Sequence, residues 1–146
     1  EEFTSFLWNL HVQGLLKTDF SPVNLQVGQH VPCHLKALGQ PLVTAQLLGL
    51  IPQLHLEALT DSCSGMAGTY GLKASNLSLS KSIGQPMLSH LEKSNLVLGT
   101  TECSACRIQM EDVGAKQTLH PAQLLAFAYG LLPQLSRMMP KMVEKN

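Results

Sequence analysis

The sequence predicts an α/β fold, a single domain built on a roughly four-stranded parallel sheet flanked by helices. Three observations carry that expectation. Short apolar runs with the two-residue alternation of strands take turns with longer runs at helical spacing, and they do so four times along the chain. Parallel neighbours need crossover connections, and helices are the usual ones. A length of 146 residues, 45% hydrophobic and 14% charged, suits one compact core and not two.

Residues 1–16 bring Phe3, Phe6, Leu7, Leu10, Val12 and Leu15 near helical spacing, which adds an N-terminal helix ahead of the sheet. Residues 23–31, V-N-L-Q-V-G-Q-H-V, alternate as a first strand. Residues 41–50 follow as a helix with Pro41 at its start, where a missing N–H costs nothing. Residues 54–59 form a second strand, and D-S-C-S-G-M-A-G-T-Y-G, residues 61–71, is a loop rich in glycine and small side chains. A helical stretch over residues 76–93 comes next, which Gly84 and Pro86 should break or kink. A third strand over 96–100, a short helix over 103–112, a fourth strand over 117–119 and a last helix over 121–132 complete the alternation. No low-complexity linker or internal repeat divides the chain. Residues 24–132 therefore read as one cysteine-rich unit, with 1–23 as an N-terminal helical extension and 133–146 as a C-terminal tail. The pattern is Rossmann-like or flavodoxin-like.

Composition excludes several functions. The formal net charge is zero and the pI near 7.2, so the broad basic surface that a phosphate backbone needs is missing, and nucleic acid is not an expected partner. No apolar run reaches the length of a membrane span, and E-E-F-T-S-F-L-W lacks the basic start and long apolar core of a leader, so the chain reads as cytoplasmic. It begins with Glu1 and not Met, which reads as a processed chain or a piece of something longer. No G-x-G-x-x-G follows a strand. G-M-A-G-T-Y-G has a similar look but sits beside a cysteine, so neither NAD nor flavin is expected here.

Sites in such sheets form in the crevice beyond the carboxyl ends of the strands. Cys33 falls just past the first strand, Cys63 past the second, Cys103 past the third with Cys106 one helical turn on, and His120 past the fourth. The spacing is C-x29-C-S-x38-C-x2-C. A C-x-x-C at a helix start sets two sulfurs beside exposed N–H groups, which favours the thiolate. That pair fits a redox disulfide, a zinc half-site or an iron–sulfur half-site. Four thiolates at one edge are enough for zinc or for a [4Fe–4S] cubane. The loop bears on this choice, because a bulky cluster with bridging sulfides suits backbone with few side chains, as at Gly65, Ala67, Gly68 and Gly71. A thiol–disulfide enzyme using Cys103 and Cys106 is the weaker reading, since such catalysts carry their C-x-x-C early in a thioredoxin-like pattern.

Four segments now combine: H-V-P-C-H-L-K-A-L-G-Q-P (30–41), C-S-G-M-A-G-T-Y-G-L-K (63–73), T-E-C-S-A-C-R-I-Q-M-E (101–111) and L-H-P-A-Q-L-L-A (119–126). In this order they resemble the cysteine-rich CCG domain of the heterodisulfide-reductase-like iron–sulfur proteins, and within that family the branch that serves anaerobic glycerol-3-phosphate dehydrogenases. The resemblance spans about residues 24–129. It implies an electron-transfer domain that relays electrons from a flavoprotein dehydrogenase, through upstream iron–sulfur domains, toward the membrane quinone pool. Such a domain does not itself oxidise the substrate. It also implies a [4Fe–4S] cluster on Cys33, Cys63, Cys103 and Cys106. A zinc-binding structural or interaction module on the same scaffold is the alternative. The family loop reads Cys-Cys-Gly, whereas Ser64 stands before Gly65 here. One ligand is thus missing, which speaks against a five-thiolate, non-cubane cluster and leaves the cubane. Nothing in residues 1–23 supplies the ferredoxin-type C-x2-C-x2-C-x3-C-P runs that full-length family members carry upstream.

Around the four cysteines, Ser64, Gly65, Gly68, His30, His34, His120 and Arg107 are candidates to touch the ligands and not the metal. Lys36, Lys73 and Arg107 would compensate an anionic cluster. His11, His55 and His90 read as structural or exposed, and Tyr70 as packing. Beyond Pro133 a Met-rich tail with Met138, Met139 and Met142 could dock a partner protein or lie at the inner face of the cell membrane. Two prolines and few basic residues make the membrane the weaker option.

Overall fold

In the computed structural model, which describes residues 2–39, 41–93, 95–114 and 116–135, four parallel strands carry the fold. They are β1 (Leu25–Gln29), β2 (Leu54–Ala58), β3 (Leu98–Thr100) and β4 (Thr118–Leu119), in the order β2-β1-β3-β4. Val27 lies opposite Leu56 on one side and Leu98 on the other. This order is the flavodoxin-like one and not the Rossmann one, which resolves the two expectations. The chain leaves β1 toward β2 and returns on the other side to β3, so a crevice is expected beyond the carboxyl ends of β1 and β3, where the connections part.

The helices are α1 (Phe3–Val12), α2 (Cys33–Ala37), α3 (Thr44–Leu48), α4 (Leu77–Lys93), α5 (Ser104–Asp112) and α6 (Pro121–Ala128). On one face Leu25, Val27, Leu98 and Leu119 of the strands meet Leu47 and Leu48 of α3 and Leu124 and Leu125 of α6, with Leu7 and Trp8 of α1 packed over them. On the other face Met87, Leu88 and Leu91 of α4 and Met110 of α5 form a second cluster. The strands show glycine to those helices: a Cβ at Gly28 would stand 3.2 Å from Leu91 Cδ1 of α4, and one at Gly99 would stand 2.6 Å from Met110 Cε of α5. Close seating of α4 and α5 depends on those two absent side chains.

Several expected boundaries move. The stretch over 76–93 is not broken at Gly84 or Pro86; it runs as the single helix α4 from Leu77 to Lys93. Burial of Met87, Leu88 and Leu91 beyond the proline outweighs the hydrogen bond that Pro86 cannot donate. The helix expected from Pro41 begins only at Thr44, with Val43 buried at its N-cap. A short helix absent from the expected elements, α2, starts at Cys33 itself. Strand β1 is trimmed to Leu25–Gln29 and α6 to Pro121–Ala128. The core also takes in Leu135, the last residue described. The tail methionines Met138, Met139 and Met142 lie outside the described residues. Among the described residues, no helix is long and apolar enough to cross a membrane.

Candidate metal centre

Each cysteine is delivered by a strand end. Extended Pro32 leads from β1 into Cys33, the first residue of α2, and leaves that thiol exposed. Cys63 lies in the loop after β2 and is half-buried. Cys103 caps α5 in extended conformation, so the helix starts under it, and Cys106 in the first turn points inward at 7% exposure. The four cysteines, with Ser64, Met66 and Gly68, line one cavity of about 210 Å³. That is roughly an order of magnitude more space than a single water needs. Among the described residues that line it, none is acidic.

The loop is seated on the backbone of α4 by two glycines. Gly65 has φ +88°, and a Cβ there would stand 2.0 Å from the Ser80 carbonyl oxygen. One helical turn on, a Cβ at Gly84 would stand 2.5 Å from the carbonyl oxygen of Ser64. Pressed between them, Ser64 is only 2% exposed. Its hydroxyl donates to Cys106 Sγ at 3.1 Å and accepts from the Met66 N–H at 3.5 Å. The Gly65 N–H donates to Cys63 Sγ at 3.3 Å. Ala67, with φ +44°, and Gly68, with φ +66°, then turn the chain back. A left-handed alanine is a local strain, and the surrounding contacts must hold it.

Cys33 neighbours Cys63 and Cys106 neighbours Cys103, and none of the four is in a disulfide. Burial pushes the Cys106 thiol up to about 12; the Ser64 hydrogen bond works against that rise, and neighbouring Cys103 adds to it. Desolvation, then Cys63, raises Cys33 as well. The thiolates of Cys33 and Cys106 are thus disfavoured unless a cation neutralises them, and a metal must displace their protons as it binds. The donor set is soft and free of carboxylate, which fits an iron–sulfur group or zinc and not a hard cation.

The remaining candidates separate. His34 lines the cavity, with Nε2 3.8 Å from Glu2 Oε1 at the start of α1. His30 does not line it; it is 3% exposed past the end of β1, and its Nε2 has no hydrogen-bond partner. Burial and then the Lys36 charge hold that imidazole down at about 4, with Asp61 opposing. His120 caps α6: its Nδ1 accepts the Ala122 N–H at 3.1 Å, and Gln123 Oε1 accepts the His120 N–H at 2.9 Å. Burial lowers its pKa too. Arg107 runs along α5 to Glu111, 3.7 Å away, and Lys36 pairs with Asp61. Tyr70 is exposed and not packed as expected. His90 pins β2 to α4, 2.6 Å from Glu57 Oε1. Gly84 is the residue that sequence reasoning missed. A glycine inside a helical pattern hints at a close approach, but not at what approaches it.

Much of the sequence is shared with known proteins. The chain is 40% identical over 126 residues to a subunit of the anaerobic glycerol-3-phosphate dehydrogenase of Escherichia coli strain K12, a match that takes in 86% of this chain and 31% of that protein. The chain is a relative of that protein. The counterpart from Escherichia coli O157:H7 matches to the same extent. A subunit of the fumarate reductase (CoM/CoB) of Methanothermobacter marburgensis is 28% identical over 117 residues, 74% of this chain and 24% of that protein. No family model matches the chain. The resemblance to the branch that serves anaerobic glycerol-3-phosphate dehydrogenases is borne out by these relatives. Each of them is one subunit of an oxidoreductase, and the chain spans less than a third of the length of the curated relatives it matches.

Proposed function

We propose that this relative of the anaerobic glycerol-3-phosphate dehydrogenase protein is an iron–sulfur electron-transfer domain whose [4Fe–4S] cluster is held by Cys33, Cys63, Cys103 and Cys106. The observation that carries the reading is the convergence of four free thiols, each delivered by a strand end, on one cavity of about 210 Å³. Among the described residues, no three His, Cys, Asp or Glu side chains converge closely enough to share a single ion. A cavity of that size lined by four cysteines suits a multi-iron group better than one zinc.

When bound, such a group supplies reversible one-electron transfer. The chain's own residues do the rest. Ser64 and Gly65 donate hydrogen bonds to two of the sulfurs, and buried Met66 keeps water from the inner wall. Cys33, exposed, marks the side on which an electron partner would dock. In the parent complex that partner would be a flavoprotein dehydrogenase or an upstream iron–sulfur domain, with electrons passing on to the membrane quinone pool. The cysteine-rich unit is residues 24–132, with 1–23 and 133–146 as extensions, in a cytoplasmic protein peripheral to the inner face of the membrane. Anaerobic purification tests the reading: brown protein with about four iron and four sulfide per chain supports it, and colourless protein with one zinc replaces it with the zinc module.

A further inference from the structure

We propose that Ser64 is a positioning residue for this centre: held over Gly84, it fixes Cys106 Sγ by a hydrogen bond and thereby tunes the reduction potential. The inference rests on the iron–sulfur reading above and goes beyond it, by giving a role to the position where this chain departs from its family's Cys-Cys-Gly.

The geometry argues for a donor and against an oxygen ligand. The Ser64 hydroxyl already donates to Cys106 Sγ at 3.1 Å and accepts from the Met66 N–H at 3.5 Å, so both of its hydrogen-bonding roles are filled within the protein. A serine hydroxyl also gives up its proton far less readily than a thiol. Its direction is imposed from outside: the Ser64 carbonyl rests where a Gly84 Cβ would come within 2.5 Å, and Gly65 rests against the Ser80 carbonyl. The Cα–Cβ direction of Ser64 is therefore fixed while the loop stays seated on α4, and its two hydrogen bonds hold the hydroxyl on Cys106. At 2% exposure no water competes for it. Once Cys106 is a metal-bound thiolate, the contact becomes a charge-assisted hydrogen bond. Such a bond stabilises the more negative, reduced state and raises the potential.

The test uses the full chain reconstituted anaerobically, as wild type, S64A and S64C, with iron and sulfide content, electron paramagnetic resonance of the reduced form, and midpoint potential as readouts. S64A should hold wild-type iron and sulfide and shift the potential to more negative values. An S64A potential and spectrum identical to wild type would overturn the inference while leaving the cluster reading intact. Loss of iron in S64A also overturns it; recovery of iron in S64C then makes position 64 a ligand, and no recovery makes it a packing residue. Wild-type protein that takes up no iron removes the cluster reading, and this inference with it.

Discussion

Cys106 and Cys33 face one cavity from opposite settings. Cys106 sits in the first turn of α5, the same helix that packs Met110 into the core, and takes a buried hydrogen bond from Ser64. Cys33 begins the five-residue α2 at the surface, and what joins α2 to the neighbouring Cys63 loop is the exposed Lys36–Asp61 pair. The inner wall is held by packing and backbone contact, the outer wall by charges in water. Chemically equivalent ligands need not be mechanically equivalent, and the firm side is the one built against α4.

Breaking the inner wall should have the largest effect. Gly65→Ala drives a Cβ toward the Ser80 carbonyl at a left-handed φ. Urea unfolding of the metal-free chain should show a loss of about 3 kcal/mol, together with loss of bound iron. Unchanged stability would mean that the loop is not seated as described.

Acid should reveal a buried element behind the outer wall. His30 titrates at about 4 when folded, against 6.5 in an ordinary environment, chiefly through burial and the Lys36 charge, with Asp61 opposing. The unfolded chain therefore takes up the proton first. This contribution is complete above about pH 6.5 and is lost as pH falls toward 4, amounting to about 3 kcal/mol. His30→Gln should flatten the wild-type fall in the urea midpoint over that range, whereas parallel profiles would show that His30 is not the group responsible.

The cysteines sharpen the comparison directly. Both Cys106→Ala and Cys33→Ala should remove most of the iron. In the metal-free chain only Cys106→Ala should also destabilise, by about 1–2 kcal/mol, since it empties a buried position and leaves the Ser64 hydroxyl without its acceptor. Equal melting temperatures for the two variants would erase the difference between the walls. The smallest effect is expected from Lys36→Ala: metal-free melting unchanged, and somewhat faster removal of iron by a chelator, because an exposed ion pair is screened by water.

Much of this was legible in the residues. Apolar alternation marks all four strands to within two residues at each end, because Leu25, Val27, Leu54, Leu98 and Leu119 are strand positions that the core buries. The placement of all four cysteines past strand ends followed from the same pattern. The course of α4 did not. Gly84 and Pro86 carry a local propensity to break a helix, and nothing nearby in sequence reveals that Met87, Leu88 and Leu91 will be buried or that a loop some twenty residues upstream needs Gly84 bare. The exclusion of water from Ser64 was equally invisible.

Order along the chain thus sufficed for the fold class, the parallel sheet and the edge on which the thiols gather, because periodicity and crossover geometry are local and topological matters. Which strands are neighbours, which thiol is buried, and which hydroxyl meets Cys106 were decided only when helix and loop backbones came within van der Waals reach. Those contacts join residues far apart in sequence, and their energies depend on distances that no spacing pattern encodes.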